Sequence, residues 1–470
     1  MRSPILLGLL ATIGFGVAKV CATIDSDLKP LLSKGASISH DLSVAPRWSE
    51  FNPPQPGTIV SVATEDDVAK TVQYCNKKKI PFLAQNGGHG WIDSWHLGKN
   101  GVVINLRGLN SVTVSEDKTK AYIGGGAAVK EVIDAVYNAD AQVITGNCNC
   151  VGVLGAGLGG GYGNLCGIYG LSVDNYLSLN VVLANGSLVT VTPAQKDLWW
   201  ALRGAGPNFG IVTSAVQKAK PLPKAQNTAW TGALFFSEDK LEQVVQAIED
   251  IKLEAPMNIF LYFATSGAPD FTPIVFVTPF YFGTEEQGKA AFKSFYDLGP
   301  YQDTTQVLPQ NEWNTGADGF CIKGDRKPSW SAGLSHMVPA TWRQVFNEYS
   351  AFVKNNGTGS SSIVVECYSL DVAQSVPADS ASFANRDVRF NAIAIAWYPD
   401  TSLDAAANSF GMKTRDLWRS TDGFPSNRTY VNFAYGDETN DVVYHGSTSR
   451  LKQLKRQYDP YNVFNQWFDI

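Results

Sequence analysis

Histidine is scarce in this chain: five in 470 residues, at positions 40, 89, 96, 336 and 445. They form no cluster at ligand spacing and no H-E-x-x-H, so a metal centre is not expected. A G-x-S-x-G turn is also missing, and with it the usual signature of a serine hydrolase. Positive charge is not in excess. The 38 Lys and Arg stand against 43 Asp and Glu, a net of −5, which argues against nucleic acid or an anionic membrane as a partner. No run beyond residue 22 approaches the ~20 apolar residues that a membrane-spanning helix needs. With 44% hydrophobic and 17% charged residues, the composition excludes disorder and leaves room for two sizeable cores.

The N-terminus reads differently from the rest. Arg2, the apolar "ILLGLLATIGFGV" and the small-residue pattern "VCA" form a secretory signal peptide over 1–22, with cleavage expected after Ala22. Losing Arg2 and Lys19 and no acid takes the net charge from −5 to −7. Asn185-Gly-Ser, Asn356-Gly-Thr and Asn427-Arg-Thr are glycosylation sequons consistent with secretion. Six cysteines remain after cleavage: Cys75, Cys148, Cys150, Cys166, Cys321 and Cys367. Their even number admits disulfides without fixing a pairing. Cys75 follows Val68 and Val72 at helical spacing behind the "TEDD" cap at 64–67, which makes it a core residue.

Three blocks organise the chain. From about 45 to 223, short strand-like runs ("TIVSVA", "PFLAQ", "GVVINL", "AYIGGG") alternate with two helices, at 65–78 and about 128–138. "VVLANGSLVTV" is a hairpin on Asn185-Gly186. From about 224 to 425, helices opened by capping boxes at Thr284…Gln287 and Thr341…Gln344 interleave with strands such as "PIVFVTPFYFG", "SSIVVECYSL" and "RFNAIAIAWYP". The alternation in those strands predicts an antiparallel sheet with helices on one face. The tail carries a basic helix near 447–457, stopped before Asp459-Pro460; from its residues alone it fits either block.

Two glycine-rich stretches stand out. "GAGLGG" at 155–160 matches G-x-G-x-x-G, but "YGNLCGIYG" follows where a Rossmann fold requires a helix, so dinucleotide binding of that kind is set aside. The glycines suggest instead an extended loop whose N–H groups line a polar ligand. "QNGGHGW" at 85–91 brings His89 out of a strand on a Gly-Gly hinge. A surface turn is the plain reading; a backbone approaching a ligand is the other.

"AQNGGHGW" resembles the A-R-S-G-G-H segment of the berberine bridge enzyme-like flavoproteins, in the vanillyl-alcohol oxidase superfamily of FAD-linked oxidases. "GNCNCVGVLGAGLGGGYGNLCGIYGLSVDN" at 146–175, "LWWALRGAGPNFGIVTSAV" at 198–216, and "YVNF" with "RLKQLKRQYDPYNVF" in the tail match in the same order. The resemblance implies an α+β, two-domain FAD-linked oxidase fold. A signal peptide at 1–22 would precede a discontinuous FAD-binding domain, 23–223 and 426–470, and a substrate domain, 224–425, with an antiparallel sheet covered by helices. It implies FAD bound covalently through His89 (8α carbon) and Cys148 (C6). The surrounding cofactor-binding residues would be Asn86, Gly87, Gly88, Gly90, Val151, Gly152, Gly155, Gly157, Gly159, Gly160, Tyr162, Gly163, Asn208, Gly210 and Ile211. Gln85-Asn86 replace the family's Arg-Ser, and Cys150 is an extra thiol beside the tether.

The implied chemistry is hydride transfer to FAD with a base taking the substrate's proton. The resemblance assigns the base to Tyr430 with Asn432 beside it; a tyrosine, titrating ordinarily near ~10, needs a cation or hydrogen-bond donor to serve. Glu366 and Tyr368 of "VVECYS" are expected to line the substrate pocket, and Val151 to govern oxygen access. The expected protein is a secreted, glycosylated monomer that oxidises an alcohol, phenol or amine with O2 and releases H2O2. An oligosaccharide oxidase and a flavoprotein that uses FAD without net redox change are the alternatives.

Overall fold

The Thr64 hydroxyl accepts from the Asp67 N–H at 3.1 Å while the Asp67 carboxylate accepts from the Thr64 N–H at 2.9 Å, and this reciprocal cap opens the first long helix, Glu65–Lys78. Lys79, left-handed at φ 56°, ends it. Val68, Val72 and Cys75 lie on its fully buried stripe, as the spacing predicts. The computed structural model describes residues 24–470; the signal peptide expected at 1–22 lies outside them.

The helix is packed between two sheets. One has four strands, in the spatial order Ser37–Ser39, Thr58–Ser61, Val102–Asn105, Phe82–Gln85, with the last three parallel. The other has five antiparallel strands, ordered Val112–Val114, Lys120–Gly124, Ile211–Lys218, Tyr176–Val182, Leu188–Val191. Its last pair is the hairpin on Asn185-Gly186, with Gly186 at φ +79°. The glycine-rich stretch enters from no strand and contains only short helical turns, Val153–Gly157 and Cys166–Tyr169.

A third, nine-stranded antiparallel sheet is built from residues 228–395. Its strand period of two separates two faces. Ile259, Leu261, Phe263, Ile363, Val365, Cys367, Ala392 and Ala394 join the core beneath helices Leu241–Asp250, Pro339–Phe352 and Asp404–Arg419. Phe260, Tyr262, Val364, Glu366, Tyr368, Ile393 and Ile395, the alternate residues, turn to the other face and line a cavity. That is the arrangement the alternation predicts, helices on one face only.

One expected start is moved. Thr284 caps its helix as predicted, but the helix assigned to Thr341…Gln344 begins at Pro339, after Val338. Proline's fixed φ suits the first helical position, and Thr341 sits inside the first turn, buried, accepting from the Thr421 hydroxyl at 3.1 Å. The tail helix, Thr448–Tyr458, packs Leu451 and Leu454 into the same core as Ile123 and Val132 of the first block. Buried Lys455 locks it there, donating to the Asn208 and Phe464 carbonyls and to Asp459. No helix among the described residues is long and apolar enough to cross a membrane.

Candidate active site

His89 stands on the loop that leaves strand Phe82–Gln85. Two glycines shape that loop for different reasons. A Cβ on Gly87 would fall 2.7 Å from the Gly152 nitrogen, so the hinge and the 146–152 loop touch backbone to backbone; Gly88 is left-handed at φ +77°. Asn86 fastens the hinge by donating to the Gly125 and Ala127 carbonyls at 3.0 and 2.9 Å.

The contact delivers His89 beside Cys148 and Cys150, their ligand atoms all within 4.8 Å of one another. Cys150 Sγ is 3.4 Å from His89 Nε2 and 3.6 Å from Cys148 Sγ. The resemblance implied that His89 and Cys148 would meet; the place of Cys150 between them is read only from the fold. Cys150 is, however, disulfide-bonded to Cys321 across 171 residues, so its sulfur is spent and the trio does not make a thiolate metal site. His89 stacks on Trp48 with ring centres 5.8 Å apart. Burial, then the positive charges of Lys323 and Arg47, pull its pKa down to about 3, the Gly87 backbone opposing weakly. The imidazole is therefore neutral, and its Nδ1 is buried without a well-formed hydrogen bond. Burial pushes the Cys148 thiol up to about 11.

These groups open into a cavity of about 380 Å³. Of the expected cofactor residues, His89, Cys148, Asn86, Gly87, Gly88, Gly90, Val151, Gly152, Gly155, Gly159 and Tyr162 line it. Gly157, Gly160, Gly163, Asn208, Gly210 and Ile211 do not line it. Gly157 packs on Tyr176, Gly160 on Phe383, Gly163 on the Thr145 carbonyl and Gly210 on Val181. Asn208 is fully buried and donates to Tyr444, and Ile211 belongs to the core between the sheets. These glycines answer to close packing, which a motif shares with a ligand loop.

The same cavity is lined by the other expected residues, Glu366, Tyr368, Tyr430 and Asn432. The Tyr430 hydroxyl accepts from the Gly161 N–H at 3.1 Å and the Asn432 amide at 2.7 Å, and Asn432 also donates to the Ala156 carbonyl at 2.8 Å. The donors a phenolate base needs are present. The cation is not: burial dominates and lifts Tyr430 well above its ordinary range, and none of the charges acting on it is positive. Glu366 Oε2 accepts from Tyr368 at 2.7 Å, and Tyr368 accepts from the Asn147 amide at 2.7 Å. Burial raises the Glu366 carboxyl to about 7 against the Tyr368 hydrogen bond.

Several lining residues went unread in the sequence: Arg47, Trp48, Phe260, Tyr262 and Phe320. Arg47 donates to Gln85 at 2.9 Å and to the Gly90 carbonyl, and no carboxylate among the described residues pairs with it. Phe320 comes from segment Thr315–Cys321, tied over the cavity by the disulfide, by Asn149 donating to Asp318 at 2.7 Å, and by Trp48 Nε1 donating to the Phe320 carbonyl at 2.6 Å. "PRW" and "GFC" carry no motif that would have marked them.

Residues 56–192 match the family described as FAD binding domain, and 429–466 the one described as berberine and berberine like. The chain is 34% identical to a protein named FAD-linked oxidoreductase OXR1 from Pyricularia oryzae, over 90% of this chain and 85% of that one. It is 32% identical to FAD-linked oxidoreductase chry5 of Gibberella zeae over the full length of both. Among solved structures, the xylooligosaccharide oxidase of Myceliophthora thermophila in complex with xylobiose superposes with a TM-score of 0.81 at 21% identity, covering 95% of this chain and 99% of that one. A Physcomitrella patens BBE-like protein gives the same score at 20% identity, over 94% and 99%. At that identity these two establish the fold.

Proposed function

Because the chain belongs to the berberine-like FAD-linked oxidoreductases, we propose that it is a secreted oxidase that ties FAD to His89 and Cys148 and oxidises a ring-bearing, largely apolar alcohol or phenol. The carrying observation is one cavity lined together by a neutral imidazole, a thiol, a cluster of aromatic rings and, among the described residues, a single carboxyl. The residues suit FAD. His89 Nδ1, buried and unsatisfied, is a ring nitrogen that a bond to carbon would occupy, and a Cβ on Gly155 would meet nothing within 4 Å. Arg47 and Lys323 add two cations without carboxylate partners beside the hinge, suited to a diphosphate; backbone amides are thus not the only donors. Bound FAD would supply a two-electron acceptor for a hydride.

The chain's own groups account for the rest. Trp48, Phe260, Tyr262, Phe320, Val364, Ile393 and Ile395 exclude water and offer ring faces. Tyr430 and Asn432, already bonded to each other, orient a polar substituent. Val151 lines the cavity next to Cys148 and is proposed to set oxygen access, with H2O2 as the second product. The same aromatic surface could stack a sugar, but an oligosaccharide presents many hydroxyls and these walls offer few donors or acceptors. The division into a FAD-binding unit, 23–223 with 426–470, and a substrate unit, 224–425, is supported by the tail's place in the first core. Secretion is supported by the Cys150–Cys321 disulfide and glycosylation by the exposure of Asn185, Asn356 and Asn427.

Two measurements test this. Mass spectrometry of a proteolytic digest should find the His89 and Cys148 peptides bridged by one flavin; both at unmodified mass, from flavin-loaded protein, overturns the double tether. A panel of aromatic alcohols, phenols, amines and oligosaccharides, mixed under nitrogen, should bleach the flavin with ring-bearing donors. Bleaching by oligosaccharides alone overturns the substrate class.

A further inference from the structure

Lys327 is fully buried, and no carboxylate among the described residues pairs with it, whereas a buried lysine ordinarily has an acidic partner. Three main-chain oxygens hold its ammonium instead: it donates to the Trp48 carbonyl at 2.7 Å, to the Ile322 carbonyl at 2.9 Å and to the Gly324 carbonyl. The Trp397 and Trp48 ring centres lie 4.2 and 5.0 Å from the nitrogen, a cation–π contact that an uncharged amine would forfeit. Three carbonyls use every N–H of an ammonium; a neutral amine has only two to give. Burial lowers the group to about 8, Asp325 and Glu50 opposing, so the cation is the form present at neutral pH.

These carbonyls come from two distant stretches that run side by side. The Glu50 N–H donates to the Asp325 carbonyl at 2.7 Å, and the Lys327 N–H to the Ser49 hydroxyl at 2.9 Å. Trp48 carries the contact on to the cofactor end. Its N–H donates to the Gly88 carbonyl at 2.9 Å, in the hinge that presents His89; its ring stacks on His89, and its Nε1 donates to the Phe320 carbonyl. Lys327 itself lines no part of the cavity.

We propose that Lys327 is a positioning residue for flavin attachment: by joining the Trp48 carbonyl to the Ile322 and Gly324 carbonyls it fixes Trp48 against the Gly88 hinge and the His89 ring, and so presents the imidazole to the cofactor. The proposal rests on the reading of His89 as the flavin tether. Forming that tether joins a ring nitrogen of His89 to the 8α carbon, with one hydrogen lost from the imidazole and one from the carbon; the two electrons and two protons released are taken up by O2 as H2O2. Lys327 takes no part in that bond. It sets where the imidazole stands, from a residue of the substrate unit, through Trp48.

Two readouts test it, the first on the protein whatever flavin it carries. Amide hydrogen exchange in K327M should rise about 10–100-fold at Trp48 and Glu50, with helix Glu65–Lys78 exchanging as in wild type. K327R, which keeps the charge and its donors, should retain wild-type protection. Unchanged exchange at Trp48 and Glu50 in K327M overturns the proposal; so does an equal rise in the helix, which would make Lys327 a general stabiliser. In the second readout, a digest of flavin-loaded protein should show the His89 peptide carrying flavin in a several-fold smaller fraction in K327M, and near the wild-type fraction in K327R. A His89 peptide as fully modified in K327M as in wild type overturns the proposal. Where K327M does not fold, K327Q, with one amide in place of the ammonium, is read by the same criteria. If wild-type His89 carries no flavin, the tether reading falls, while hydrogen exchange still decides whether Lys327 holds Trp48 on the hinge.

Discussion

At the scale of single residues, the site is a set of groups displaced from their ordinary chemistry by burial. The Glu366 carboxyl, raised from 4.5 to about 7 in the folded chain, binds more protons folded than unfolded between those values. Its contribution to stability is therefore complete below the unfolded value and is lost as pH rises through 7. E366Q removes that penalty. Thermal unfolding should show E366Q gaining on the order of 1–3 kcal/mol over wild type near pH 8 and nothing near pH 4. His89 runs the other way: depressed to about 3, it is stabilising above the unfolded value near 6.5 and costs stability as pH falls from there. Gly87 carries no charge and is as constrained as either. Gly87→Ala would drive a Cβ against the Gly152 backbone, so the two loops must part; the digest should then show the His89–flavin linkage reduced several-fold or lost.

At the scale of elements, one disulfide couples the two walls of the cavity. Cys150 lies two residues from Cys148, and Cys321 ends the segment that hangs Phe320 over the chamber. A link closing 171 residues restrains the unfolded chain strongly, worth about 2–4 kcal/mol in typical proteins. C321S should lower the stability measured by urea unfolding by that order. It should raise KM for the donor more than it lowers kcat, because the segment supplies a wall while His89 and Cys148 stay on their own loops. Equal losses in kcat, with flavin released, would show that the disulfide holds the cofactor end as well.

At the scale of the whole molecule, the tail returns to the core of the first block. The 429–435 segment carries Tyr430, Asn432 and Phe433 into the cavity, and the helix behind it is fixed to the first block by buried Lys455, whose partner Asp459 is fully buried. Removing one member of a buried pair leaves an uncompensated charge and costs about 3–5 kcal/mol. Lys455→Met should therefore destabilise by that order in chemical denaturation and weaken flavin retention, although residue 455 lines no part of the cavity. Arg415, bonded to Asp437 at 2.6 Å and to Glu438, ties the same tail to helix Asp404–Arg419, so the tail is clamped from both sides.

What the sequence decided by itself was local and periodic. The Thr64 cap, the hairpin on Asn185-Gly186, the two-residue alternation of "SSIVVECYSL" and the Gly-Gly hinge under His89 all follow from a few neighbouring residues. The matching motifs then supplied His89, Cys148 and Tyr430, and Glu366 stood as an expected lining residue of "VVECYS". Tertiary structure alone decided which glycines face the cavity and which merely permit close packing, since Gly155 and Gly157 look alike in "GAGLGG" and differ only in what lies across from them. It alone paired Cys150 with Cys321, brought Arg47, Trp48 and Phe320 to the site, and withheld a cation from Tyr430 while leaving Glu366 with a free oxygen. Burial, and the partner that burial supplies, is a property of chain segments far apart in sequence, so pKa and pairing cannot be read from either segment alone.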